Sequence, residues 1–253
     1  MNTFEKRRTH APPGSIPAVL GMFSSEVRFY REVASEVGVR VPVCVEASDT
    51  ELGTYLQLED LSSWSSGADP VGVAALLRTL HQRWEGRALD RWPWLRLPGA
   101  GADLIGALYD RTWRSIAARS DVTSNVRALG EFLVGQVEAA EHIEGQVGPL
   151  TLCHGDTSMK NLATSPDGEI VFFDWEDVRF ASGVTDLAWF LVSSVPPEDW
   201  DDVAHAYGSR DYEAVLPSVA AQGLLALSGE GDGSAAAADW VSRLSAAAKR
   251  IGV

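Results

Sequence analysis

Cysteine is scarce in this chain: Cys44 and Cys153 are the only two among 253 residues, too few for the disulfide framework of a small secreted scaffold. The sequence does not open with a charged segment, an apolar run and a small-residue cleavage site, so the expected setting is reducing and cytoplasmic. Positive charge is also in deficit. Against 35 acidic residues stand 21 Lys and Arg, a formal net charge of -14, which argues against a nucleic-acid backbone or an anionic membrane surface as the main partner. A cationic or neutral small molecule suits that balance better. No uninterrupted apolar run reaches the roughly 20 residues that span a bilayer, and no membrane partner is expected. His10, His81, His142 and His205 show neither H-E-x-x-H nor C-x-x-C spacing, which leaves them as surface or packing residues.

What the chain does have is apolar bulk. At 45% hydrophobic it can bury a sizeable core, as one large domain or two closely packed lobes. The first 20 residues carry Arg7, Arg8, Pro12, Pro13, Gly14 and Pro17 and read as a loop after a very short opening segment. Over 24–37 the apolar positions Val27, Phe29, Tyr30, Val33 and Val37 recur at helical spacing. Residues 39–47 and 54–58 are rich in β-formers and read as paired strands across the turn Ser48-Asp49-Thr50-Glu51. The Ser/Gly/Asp-rich stretch 62–70 is the expected linker between a small lobe at 1–61 and a larger one at 71–253. Helical periodicity follows over 71–84, 104–118 and 122–139. Short strands are expected at 150–154 and 170–174, with the turn Ser165-Pro166-Asp167-Gly168 making a hairpin before the second. Four or five further helical stretches follow Thr185, one resuming near Ala235.

The string His154-Gly155-Asp156-Thr157-Ser158-Met159-Lys160-Asn161, followed by Phe173-Asp174-Trp175-Glu176, carries the chemistry. Phosphoryl transfer needs a carboxylate beside the acceptor hydroxyl and oxygen ligands for magnesium, and little other side-chain chemistry. Asp156, Asn161 five residues on, and Asp174 at the end of an apolar strand supply these groups, in the order and spacing of the H-R-D-x-x-x-x-N and D-F-G elements of protein kinases. Glu176 reads as a salt-bridge partner or a further metal neighbour. Cys153 and His154, adjacent on a strand, point to opposite faces and cannot readily share one site, so Cys153 reads as a buried structural thiol. Trp84, Trp92 and Trp94 read as packing residues or as the wall of an aromatic pocket. Glu198, Asp199, Asp201 and Asp202 read as a solvated helix start or as a source of steering for a cationic ligand.

These strings, with Thr185-Asp186-Leu187-Ala188-Trp189-Phe190, Glu26-Val27-Arg28-Phe29-Tyr30-Arg31-Glu32, Tyr55-Leu56-Gln57-Leu58-Glu59-Asp60-Leu61 and Leu77-Arg78-Thr79-Leu80-His81, are similar to those of the aminoglycoside phosphotransferase and choline kinase-like group of small-molecule kinases. The resemblance implies an α+β, two-lobed protein kinase-like fold, with a shortened β-containing N-terminal lobe and a larger, mainly helical C-terminal lobe. It implies transfer of the terminal phosphoryl group of ATP or GTP, with Mg2+, to a hydroxyl of a small metabolite or antibiotic. By that resemblance Asp156 orients or deprotonates the acceptor, Asn161 and Asp174 hold the metal, and His154 and Asp186 brace the loop. Glu26 would pair with a phosphate-binding lysine, and the backbone from Glu59 to Leu61 would contact adenine. Lys160 would either meet the transferred phosphoryl or face solvent. Lys6 is the candidate phosphate lysine, since no other Lys occurs before Lys160; the alternative is a solvated basic terminus. In this group two strands and a phosphate-covering loop normally precede that lysine, whereas only Met1 to Glu5 do so here. That shortfall leaves open a second expectation, a catalytically impaired or partner-dependent kinase homologue.

Overall fold

The computed structural model describes residues 2–253; Met1 lies outside them. The very short opening segment expected before the loop is a full six-residue strand, β1 (Thr3–Arg8), so the irregular stretch begins only after Arg8. It pairs antiparallel with β3 (Gly53–Glu59), which pairs on its other side with β2 (Cys44–Thr50), giving the order β1-β3-β2. β1 is recognisable only through its partner, because four of its six residues are charged, none is buried and no apolar alternation marks a face. Lys6 lies opposite Leu56 and Arg8 opposite Thr54, so the two-residue period puts both on one face. β2 starts later than expected, since Pro42 has no N–H to give a ladder and the Arg40 backbone instead bridges Val171. It also runs to Thr50, which confines the hairpin turn to Glu51 and Leu52.

Between β1 and β2 come the short α1 (Ile16–Val19) and then α2 (Met22–Arg28), which carries buried Glu26 and Val27. The helix expected over 24–37 ends early, in one wide turn at Phe29–Val33 where the Ala34 amide bonds the Phe29 carbonyl at 2.9 Å, and residues 34–39 are turns and bends. The stretch expected to be a linker is pinned at both ends. β4 (Ser65–Ser66) adds to the edge of β6 (Leu162–Thr164), and Asp69 caps α3 (Pro70–Trp84) by accepting from the Gly72 amide at 2.7 Å.

Val73, Leu77, Leu80 and Trp84 of α3 are buried. Trp84 and Trp92 lie with ring centroids 4.4 Å apart, and the Trp84, Trp92 and Trp94 indoles donate to Val37, Glu32 and Glu32 respectively. The three tryptophans therefore buttress the helix that holds Glu26. α4 (Ala88–Arg91) and α5 (Ala102–Ala117) follow, and the helix expected over 122–139 is two, α6 (Ser124–Leu133) and α7 (Val137–Ile143). Gly135, at φ 69°, breaks it, while the apolar spacing runs on undisturbed through the break.

β5 (Leu150–Cys153) leads into the loop of interest and pairs with β8 (Arg179–Ser182). β6 and β7 (Ile170–Phe172) form the expected hairpin, closed by Gly168 N to Ser165 O at 2.9 Å. α8 (Gly183–Ser194) has nine buried residues, which is why it reads as almost wholly apolar. α9 (Trp200–Tyr207), α10 (Leu216–Ser228) and α11 (Ala235–Ile251) complete the lobe. Asp201 and Asp202 sit in the first turn of α9, where carboxylates oppose the positive end of the helix dipole. None of the helices is long and apolar enough among the described residues to cross a membrane.

Candidate functional site

The loop after β5 is held from beneath by one carboxylate. Asp186, fully buried in the first turn of α8, accepts from the His154 amide at 2.7 Å and the Gly155 amide at 2.8 Å, and lies 3.2 Å from His81 Nε2. Burial alone would raise its pKa; the His81 hydrogen bond and the loop amide outweigh it and hold the carboxyl below its ordinary value. His81 is fixed in turn by the Tyr207 hydroxyl at 2.8 Å. Gly155 has φ 87°, and a Cβ there would lie 2.2 Å from the Asp177 carbonyl oxygen, so the middle residue of the motif must be glycine.

His154 ties this loop to the end of β7. The Asp156 amide reaches its Nδ1 at 3.3 Å and its Nε2 stands 3.0 Å from the Phe173 carbonyl, a pattern that assigns the proton to Nε2. Its ring lies 4.4 Å from Trp175, which stacks on Phe29 of the N-terminal helix at 4.1 Å. The thiol of Cys153 is buried on the opposite side against the Ala181 and Ser182 carbonyls, and burial pushes its pKa well up. It has none of the character of an activated nucleophile.

Asp156 is presented by three donors. Trp189 Nε1 gives to Oδ1 at 2.7 Å, Asn161 Nδ2 to Oδ2 at 2.9 Å, and Lys160 Nζ stands 3.2 Å from Oδ2 with 70% of its side chain exposed. Asn161 and Asp174 are brought together by the hairpin register: Leu162 faces Phe172, and the Phe173 amide bonds the Asn161 carbonyl at 3.1 Å. Asp174 is the only non-glycine residue with positive φ among the described residues, at φ 63° and ψ 60°. Such a conformation stores on the order of 1–3 kcal/mol and persists where surrounding contacts over-determine it.

Lys6 supplies one of those contacts, 2.7 Å from Asp174 Oδ1, while also bonding both Glu26 oxygens at 2.8 and 2.7 Å. Burial would raise Asp174, but the Lys6 ammonium and Arg8 guanidinium hold its pKa down. Burial pushes Glu26 up to about 7 in spite of the same lysine. Carboxylate oxygens of Glu26, Asp174 and Glu176 lie within 4.8 Å of one another, a density of hard oxygen ligands that suits Mg2+. Asn161 fits the set, because its amide nitrogen is committed to Asp156 and its carbonyl oxygen remains available as a ligand.

Two clefts flank these groups. One, of about 530 Å³, is lined by Lys6, Glu26, Glu59, Leu61, Phe173 and Asp174 together with apolar side chains. The Glu59 carboxylate is itself committed to Arg40 at 2.6 Å and the Val43 amide at 3.1 Å. The other, of about 300 Å³, contains Asp156, Lys160 and Trp189 and is walled by Arg96, Asp177, Arg179, Glu141 and Glu144. The sequence did not point to Arg8, Trp189 or this charged wall. Trp189, three residues after Asp186 on α8, and Glu144, at the C-cap of α7 three residues after Glu141, had a helical-spacing signal. Arg8 shares the period-two face of Lys6. Arg96 and Arg179 had no local signal.

The carboxylates in that wall predict a pH effect. The Ser218 hydroxyl lies 2.9 Å from Glu141 Oε1 and 2.7 Å from Glu144 Oε1, yet a hydroxyl has one proton to give. Burial pushes Glu144 from 4.5 up to about 7 against the pull of Arg179. The native state therefore takes up a proton that the unfolded chain does not. The resulting stability is full below about pH 4.5 and is lost as pH rises through about 7. Urea unfolding at about pH 5 and about pH 8 should show Glu144→Gln removing on the order of 2 kcal/mol of that decline. Glu26 titrates in the same window but is common to both proteins and cancels. Equal slopes for the two would contradict the assignment.

Among curated proteins, none matches the chain. Solved structures similar to it include the choline kinase of Streptococcus pneumoniae, at 18% identity over 98% of this chain and 85% of that one, TM-score 0.56. An aminoglycoside phosphotransferase of Streptomyces rimosus is 16% identical over 86% of each chain, TM-score 0.55. A spectinomycin phosphotransferase in complex with ADP and spectinomycin is 14% identical over 98% of this chain and 86% of that one, TM-score 0.54. They share the protein kinase-like fold. A family model described as the phosphotransferase enzyme family matches residues 12–221. That span begins after Lys6 and Arg8, reaches into α10 and takes in the whole Asp156, Asn161 and Asp174 constellation, and on that extent the chain belongs to the phosphotransferase enzyme family.

Proposed function

We propose that the protein is a kinase that transfers the terminal phosphoryl group of ATP or GTP to a hydroxyl of a small molecule, such as an amino alcohol, a sugar or an antibiotic. The observation that carries this reading is Asp156, whose carboxylate is oriented by Trp189 and Asn161 on the wall of a cleft large enough for a small acceptor. In that role it takes the acceptor proton as the hydroxyl oxygen bonds to phosphorus and the bond to the leaving nucleoside diphosphate breaks.

Asn161 and Asp174 would hold Mg2+, which when bound offsets charge on the phosphates. Lys6, positioned by Glu26, would bind phosphate, and the backbone from Glu59 to Leu61 would receive the base in the larger cleft. Lys160 stands near enough to Asp156 to meet the transferred group from the solvent side. His154 and Asp186 would act through the loop they brace. Similarity to a choline kinase and to a structure holding ADP and spectinomycin supports the reading.

Calorimetry with Mg2+ and ATP or GTP is expected to give micromolar binding, and a panel of hydroxyl compounds to give acceptor-dependent nucleotide consumption. Absence of both would sink the proposal in favour of a non-catalytic or partner-dependent homologue.

A further inference from the structure

Arg8 has a place at the site that the catalytic motifs do not account for. It lies two residues after Lys6 on the same face of β1. Its guanidinium lies 4.4 Å over the ring of Phe23, and its Nη1 bonds Glu176 and stands 3.7 Å from Glu26 Oε2. Nη2 is 3.9 Å from Asp174 Oδ1, too far for a hydrogen bond. Nη2 has no hydrogen bond to the described residues, and the side chain is 24% exposed. One edge of the fork is thus anchored, while the other offers donors beside the carboxylate assigned to the metal.

Charge shows what those donors fit. Three carboxylates here are balanced by only Lys6 and Arg8. A magnesium ion on Asp174 would relieve Lys6 of that contact, and a triphosphate carries more negative charge than Mg2+ and one lysine together offset. A planar guanidinium can keep a carboxylate on one edge and bind a phosphoryl oxygen on the other, which an ammonium cannot do with the same geometry.

We infer that Arg8 is a second phosphate-binding cation, contacting the terminal phosphoryl group of the bound nucleotide and aimed by Glu176 and Phe23. The inference rests on the kinase reading above. Its test uses the full chain with Mg2+ and compares ATP, ADP and adenosine binding by calorimetry in wild type, Arg8→Ala and Arg8→Lys. Arg8→Ala is expected to weaken ATP roughly ten- to hundredfold, ADP less and adenosine not at all, with Arg8→Lys recovering part of the ATP loss. Unchanged adenosine affinity is the internal control for folding. Equal weakening of all three ligands, equal weakening of ATP and ADP, or no weakening would overturn the assignment of Arg8 alone. A wild-type chain that binds none of the three overturns the kinase reading and this inference with it.

Discussion

Asp156→Asn is expected to lower turnover by about two to four orders of magnitude, the range contributed by a positioned general base, while nucleotide affinity and the fold persist. Asn has the same shape but cannot take up a proton at neutral pH. It also replaces one acceptor by a donor where both carboxylate oxygens now receive bonds, from Trp189 at 2.7 Å and Asn161 at 2.9 Å. One of those contacts becomes donor against donor, which should cost about 1 kcal/mol locally at a side chain that is 24% exposed. Turnover at saturating substrate, read beside the thermal midpoint and nucleotide affinity, separates loss of chemistry from loss of fold. A variant that turns over at the wild-type rate would remove Asp156 from the reaction.

The largest effect on stability is expected from Asp186→Ala. Its carboxylate is fully buried and takes the His154 and Gly155 amides as well as His81. Alanine leaves three buried polar groups without their partner, at about 1–3 kcal/mol each. The total, on the order of 4 kcal/mol or more, rivals the whole stability of a marginal domain. Asp186→Asn, which keeps one carbonyl oxygen and can satisfy one amide, should fall between. Because the folded-state pKa of Asp186 is depressed, its contribution is present above the unfolded-state value and is lost as pH falls through the folded one. The gap between wild type and Asp186→Ala should therefore narrow in acid. Denaturant midpoints that coincide at neutral pH would show that the loop does not depend on this carboxylate.

The motif around Asp156 was legible because local chemistry fixes it: Gly155 has to adopt positive φ, and the Ser165–Gly168 turn sets the hairpin that carries Asn161 to Asp174. Lys6 could be proposed from its isolation among lysines, and it does meet Glu26. Its strand was not legible, since Thr3, Glu5 and Arg7 on one face and Phe4, Lys6 and Arg8 on the other offer no apolar alternation. Likewise Gly135 interrupts a helical pattern without disturbing its apolar period. The wall of Arg96, Glu141, Glu144 and Arg179 is assembled by long-range contacts between elements far apart in the chain, which no window of sequence can report.

The wide turn at Phe29–Val33 makes the helix behind Glu26 unequal in its tolerance of length change. Such a turn holds one residue more than regular α-geometry needs. A single deletion there can be absorbed by tightening to an i→i+4 turn, leaving Glu26 before it facing as it does. The same deletion anywhere else in α2 would rotate one flank by about 100°, turning Glu26 away from Lys6.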